Sequence, residues 1–434
     1  MFISNNIGII ADDLTGANDT ALQFHNRGCN TQLVLEVCDE IANKDLIQCL
    51  AVSTESRNIP SLEAYEAVQK ATAFMKSELN IEHYYKKIDS TLRGNIAREA
   101  LAMLEVLEYD AAIIVPAFPN EGRITVGGYQ LLKGVPIERT EMARDPYSPI
   151  YESHIPTVLE RQLTDEEREF VGLIELKTVI KGAGPILMKL NEFIKAGKKL
   201  IVIDAVSAVD LEQIVLATQK CSFNILPCGA AALAQCYSDV WLPDIRYEHI
   251  TKNIPDLPKL VISGSATELT ATQIKKLEDD DYFSNTYFVP LKIEDIMAGV
   301  TDEMVDRICR NLGSSNIVCV HSSNIAINPE ADGNALLLQG ITKERFISMI
   351  TNYLAELTQK VIEKSAVILL LLGGETSCKC CKAIDSKTLH IVDAVAPAMP
   401  LCMNYNAQWV VTKSGNLGNA QTLVDILRYF DSHK

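Results

Sequence analysis

Short, wholly apolar runs recur along this chain, and each is followed by a longer stretch with helical spacing. A strand that is apolar at every residue must be covered on both faces, because a half-solvated strand would alternate. Residues 6–11 read as such a strand and 14–27 as the helix after it. Segments 31–37 and 50–53 read as further strands, 62–79 as a helix, 82–87 as a strand and 95–107 as a helix. Segments 111–115 and 199–203 continue the series. Strand, helix, strand at this rhythm predicts an α/β fold with a mainly parallel sheet flanked by helices.

The rhythm breaks once. The segment WLPDIRYEHITKNIPDLPK at 241–259 holds Pro243, Pro255 and Pro258 and has no periodicity, which is linker chemistry. A second α/β series follows, with strands at 260–263, 316–321 and 366–372 and helices at 345–363 and 421–429. A length of 434 residues exceeds what one core of about 250–300 residues holds. Two domains are expected, 1–242 and 260–434, joined by a linker at 243–259.

Composition narrows the function classes. The chain is 47 % hydrophobic and 22 % charged, an ordinary globular balance. Its net charge of −16 repels nucleic acid and anionic lipid, so neither is expected as a partner. An anionic small molecule would need a local basic pocket. The twelve cysteines sit mostly in apolar stretches and read as small core residues. The first residues, MFISNNIGIIADD, lack a basic n-region, and the longest apolar run, 366–372, is far short of the ~20 residues of a membrane span. A cytoplasmic location is the expectation.

The candidate chemistry sits where strands end. Ile9-Ile10-Ala11 runs into Asp12-Asp13, with a helix starting at once. Ligands of open α/β sheets bind outside the carboxyl ends of strands. A carboxylate there can accept a hydroxyl proton or hold a cation, or it can simply cap the helix. The stretch Lys86-Lys87-Ile88-Asp89-Ser90-Thr91-Leu92-Arg93-Gly94-Asn95 also leaves a strand and opens a helix. Lys87 and Arg93 suit a carboxylate, alternation puts Lys87 and Asp89 on the same side of one pocket, and Ser90 and Thr91 suit substrate hydroxyls or the backbone. Arg57 and Arg123 follow other apolar runs, Arg144 adds one more cation, and together they could form an anion site. In the second half, Ser263-Gly264-Ser265, Gly373-Gly374-Glu375-Thr376 and Lys413-Ser414-Gly415 are small, hydroxyl-bearing turns after strands. Free N–H groups and the positive end of a helix bind phosphate. No P-loop or dinucleotide fingerprint is present. Cys378-Lys379-Cys380-Cys381 lacks a partner pair at zinc spacing, and no metal ligands are assigned.

Taken together these residues resemble the four-carbon acid sugar kinase family. The resemblance rests on ADDLTGAND, STESR, YYKKIDSTLRGN, VPAFPNEGR, TEMARDPYSP and IVIDAVSAVDLEQI in the first half. VISGSAT, LLLGGETS and VTKSGNLG carry it through the second. It implies an acid-sugar-binding N-terminal domain, an ATP-binding C-terminal domain and an active site in the cleft between them. The implied reaction is transfer of the γ-phosphoryl group of ATP, with Mg²⁺, to the terminal hydroxyl of threonate, erythronate or 3-oxo-tetronate. By motif, Asp13 or Asp12 is the expected base. Arg57, Lys87, Asp89, Ser90, Thr91 and Arg93 are expected on the substrate. Ser263, Ser265, Gly373, Gly374, Glu375, Thr376, Lys413 and Gly415 are expected on the nucleotide. A homodimer stays open.

Three segments depart from the family pattern. Cys378 replaces a glycine. Residues 393–400, DAVAPAMP, stand where Gly-Glu-Ile-x-Pro-Gly-Val-Pro is usual. Residues 229–233, GAAAL, stand where Gly-Ser-Ala-Gly-Leu is common. The resemblance puts these losses near the nucleotide. They motivate a second reading, a non-catalytic sugar-acid-binding or regulatory protein derived from such a kinase.

Overall fold

The computed structural model describes residues 6–37, 44–144, 148–242, 254–326 and 340–432. The chain divides into two compact units, Met1–Glu248 and His249–Lys434. The linker expected at 243–259 lies largely outside the described residues.

In the first unit the strands are β1 (Ile7–Ala11), β2 (Thr31–Val34), β3 (Cys49–Ser53), β4 (His83–Lys87), β5 (Ala111–Val115), β6 (Arg123–Val126), β7 (Tyr129–Leu132), β8 (Val135–Pro136), β9 (Val171–Ile174), β10 (Leu200–Ile203) and β11 (Ile225–Gly229). Their order across the main sheet is β2-β3-β1-β4-β11-β5-β10-β9. The pairings described within it are all parallel. β1, β3 and β5 are buried at every residue, as their unbroken apolar runs require. Helices Ser61–Glu78 and Ile96–Leu107 pack Val68, Met75, Ala100 and Met103 against Ile10, Val52 and Ile114 of the sheet.

The second unit adds β12 (Lys259–Ser263), β13 (Tyr287–Pro290), β14 (Ile317–His321), β15 (Ile368–Leu372), β16 (Thr388–Ala396), β17 (Met399–Asn404) and β18 (Trp409–Lys413), in the order β13-β14-β12-β15-β18-β17-β16. β13, β14, β12, β15 and β18 run parallel. Val261, Leu370 and Val411 meet Leu423 and Leu427 of the closing helix Thr422–Ser432 in its core.

The parallel reading needs two amendments. β16, β17 and β18 form an antiparallel meander, and β6, β7 and β8 form a separate three-stranded antiparallel sheet. Both were hidden because their strands are short or only partly buried and carry no unbroken apolar run. The strand expected at 31–37 ends at Val34. Among the described residues no helix is long and apolar enough to cross a membrane.

Candidate functional site

In the first unit the strand order reverses at β1. β2 and β3 lie to one side of it and β4 to the other. Such a switch point leaves a crevice at the carboxyl ends of the strands. Ala11 pairs with Ser53 on one side and Lys87 on the other, so the residues that follow all three strands emerge at one level.

Those residues interlock. The Arg57 guanidinium forks onto Asp12, with Nε to Oδ2 at 2.7 Å and Nη2 to Oδ1 at 3.0 Å, and reaches Asp13 Oδ2 through Nη1 at 2.7 Å. Asp13 also caps helix Leu14–His25, its Oδ1 accepting the Gly16 N–H at 2.8 Å and its Oδ2 the Thr15 hydroxyl at 2.6 Å. Capping and chemistry were alternatives on sequence grounds, and the cap is real. Burial pushes the Asp13 carboxyl up, but Arg57, Lys87 and these hydrogen bonds outweigh it and hold the group below the usual carboxylate range.

The turn after β4 is similarly tied. Arg93 Nε donates to Asp89 Oδ2 at 2.7 Å, and the Thr91 hydroxyl donates to the same oxygen. Burial opposes ionisation of Asp89, yet Arg93, Arg57 and Lys87 keep its carboxyl well below the ordinary value. Lys87 Nζ donates to Ile88 O at 2.9 Å and lies against Gly16. Gly94 has φ +94°, and a β-carbon there would sit 3.3 Å from Asp12 Oδ2. That turn therefore needs glycine for its backbone and for the approach of the aspartate. Glu55 and Leu92 carry left-handed backbones, φ 50° and 65°, at the same rim. Such residues cluster at functional sites and cost about 1–3 kcal/mol each.

Thus Asp12, Asp13, Arg57, Lys87, Asp89, Thr91 and Arg93 come together, and Ser90 joins through its carbonyl, which accepts from Gln130 Nε2 at 2.7 Å. Two contributors escaped the sequence reading. Gln130 is buried on β7, within the sheet that was missed. Asp19 stands one turn beyond Gly16, close enough in sequence to share its helix face. Burial raises its carboxyl to about 6, with Lys87 opposing the rise and Glu121 adding to it. Asp19 was legible as the last letter of ADDLTGAND. Arg123 opens β6 and faces Asp19 electrostatically. Arg144 ends a short 3-10 turn, Glu141–Arg144, and Asp145-Pro146 after it lie outside the described residues.

The second unit repeats the plan. β13 and β14 lie on one side of β12, and β15 on the other. Ser263 pairs with His321 and Leu372, and Leu372 with Lys413, giving one level across four strand ends. Three turns leave that level and pack closely. A methyl group at Gly264 would come within 2.5 Å of Thr376 Oγ1, and one at Gly415 would overlap Ser265 Oγ. Thr267 and Thr270 hydroxyls both donate to Gly415 O, at 2.9 and 3.0 Å. Gly373, φ +111°, caps helix Gly374–Ala383. At the base, Ser263 Oγ is fully buried with no hydrogen-bond partner among the described residues. Lys413 is fully buried, its Nζ donating to Ser414 O at 2.8 Å, and burial pushes its ammonium down to about 8. A buried hydroxyl donor, a buried ammonium and a helix N-terminus together fit an anionic group such as phosphate. Glu375 turns aside to Lys379 Nζ at 3.0 Å and to the Thr351 hydroxyl.

The three departures from the family pattern fall in different places. Residues 229–233 belong to the first unit, because β11 pairs between β4 and β5, with Gly229 opposite Lys87 and Val115. Residues 393–400 fall on the β16–β17 hairpin, not on the three turns. Cys378 is buried in the body of its helix.

Comparison with known proteins agrees with this division. Residues 7–237 match the model of a sugar-binding N-terminal domain, and 260–423 that of a nucleotide-binding C-terminal domain. A D-threonate kinase of Salmonella typhimurium is 30 % identical over 434 residues, covering 98 % of each chain. A D-erythronate kinase of Heliobacterium modesticaldum is 29 % identical, covering 98 % of this chain and 97 % of its own. A crystal structure from Salmonella typhimurium LT2 shares the fold, with TM-score 0.78 at 21 % identity, over 98 % of this chain and 99 % of the other.

Proposed function

The chain belongs to the four-carbon acid sugar kinase family, and from that premise we propose that it transfers the γ-phosphoryl group of ATP to the terminal hydroxyl of a four-carbon sugar acid. The observation that carries the reading is the pairing of two unlike sites, each at a switch point. One is a cluster of cations and carboxylates in the sugar-binding unit. The other is a close-packed turn cradle with a buried, unsatisfied Ser263 hydroxyl in the nucleotide-binding unit.

Phosphoryl transfer through a loose transition state asks a protein mainly to position and to stabilise charge. In the first unit Lys87 and Arg93 attract the acid's carboxylate, and Ser90 and Thr91 meet its hydroxyls. Asp13 orients the attacking hydroxyl and accepts its proton as the bond to phosphorus forms. Its depressed pKa makes it a weak base, which such a transition state tolerates because the proton leaves late. Arg57 holds both aspartates in aim. In the second unit the N-terminus of helix Gly374–Ala383, Ser263, Ser265 and Lys413 hold the phosphates. Magnesium bound to the triphosphate would neutralise charge on its oxygens.

The direct test is ADP release with D-threonate, D-erythronate and 3-oxo-tetronate as acceptors. Turnover of at least one is expected, and turnover of none defeats the reading. Asp13→Asn is expected to lower kcat by about 100-fold or more while ADP still binds by calorimetry. Unchanged turnover removes Asp13 from the role. Hydrogen exchange assigns the units. ADP should protect the turns after β12, β15 and β18, and the acid those after β1, β3 and β4.

A further inference from the structure

Beneath the aspartates lies a charged pair that the chemistry above leaves unused. Lys86 Nζ and Glu99 Oε2 stand 2.7 Å apart, with side chains 0 % and 1 % exposed. Lys86 also donates to Lys87 O at 2.9 Å. The second Glu99 oxygen accepts from the Ser56 hydroxyl at 2.8 Å. Ser56 is buried and immediately precedes Arg57, whose own N–H donates to Asp12 O at 3.3 Å. Asn95, just ahead of the same helix, binds the carbonyls of Ser56 and Ile59, both at 3.0 Å.

A pair this deep is poorly explained by stability. Desolvation of two ions tends to cancel their attraction, and apolar side chains of similar volume often serve a core as well or better. What an apolar pair cannot do is bond to a loop. The pair joins β4 to helix Ile96–Leu107 and to the loop that delivers Arg57, which in turn grips Asp12 and Asp13.

We infer that Lys86 and Glu99 are positioning residues for the phosphoryl transfer proposed above: through Ser56 they fix the loop that aims Arg57 at Asp12 and Asp13. The inference rests on the kinase reading.

Three variants test it against an active parent. Lys86→Met alone should lower the melting temperature, because it strands a buried carboxylate. Lys86→Met combined with Glu99→Met should restore the melting temperature. Its kcat with the acid should stay on the order of 100-fold low, and the KM for ATP should stay at the parent value. Recovery of kcat along with the melting temperature overturns the inference, since the pair would then be only core filling. Ser56→Ala keeps the ion pair and cuts its link to the loop, so it remains informative if the double variant does not fold. Roughly a 10-fold fall in kcat at near-parent melting temperature is expected, and parent kcat overturns the inference. A parent chain that turns over no acid defeats the kinase reading and this inference together. An active parent with indifferent variants defeats this inference alone.

Discussion

Arg57 is a cation committed before any ligand arrives, since its N–H groups already bind two carboxylates at 2.7 to 3.0 Å. A lysine keeps the charge but lacks the planar fork, so it can hold only one of them well. Arg57→Lys is therefore expected to lower kcat/KM for the acid by on the order of 100-fold, with the KM for ATP unchanged in the same steady-state assay. Asp19 makes the opposite kind of prediction. Its folded-state carboxyl, near 6, lies above the unfolded value of 3.8. The stability it contributes is thus present below pH 3.8 and is lost as pH rises through 6. Asp19→Asn should raise the melting temperature at pH 8 and give no gain at pH 4. A gain that does not depend on pH would refute the assignment.

At the scale of elements, the β16–β17 hairpin turns on Ala398 with φ 61°. An L-residue there costs about 1–2 kcal/mol, part of which glycine returns through its larger unfolded-state entropy loss. Ala398→Gly should stabilise the fold by roughly 1 kcal/mol, read as a higher denaturant midpoint with unchanged slope. The same hairpin marks where sequence reasoning stops. β1, β3, β12 and β15 were legible because burial on both faces demands unbroken apolar runs. The motifs at 11–19, 53–57, 261–267 and 370–377 were legible because they hang directly from those strands. β6 to β8 and β16 to β18 were not: β6 to β8 and β16 are only partly buried and leave a weaker pattern, Pro400 interrupts β17, and β18 has only Val410 and Val411 as aliphatic residues before Thr412 and Lys413. For that reason Gln130, which holds the Ser90 carbonyl from β7, could not be foreseen. Glu99 was hidden differently. It reads as an ordinary first-turn helix carboxylate, and only the fold brings Lys86 and Ser56 to it.

For the whole molecule, the net charge of −16 meets a site that is nearly neutral in itself. Arg57, Lys87, Arg93 and Arg123 stand against Asp12, Asp13, Asp19, Asp89 and Glu121. The long-range field felt by an approaching acid is therefore the repulsive one, and salt screens it within a Debye length of about 8–10 Å. The KM for the acid should fall about twofold as ionic strength rises from roughly 0.01 to 0.15 M. A KM that climbs with salt would mean that local attraction dominates.

In each unit the candidate site residues spring from the carboxyl-terminal rim of the strands, with the hydrophobic core below them. A lineage built this way can change its diet by trading a few short segments, 53–59, 88–95 and 116–123 among them, and inherit its scaffolding intact.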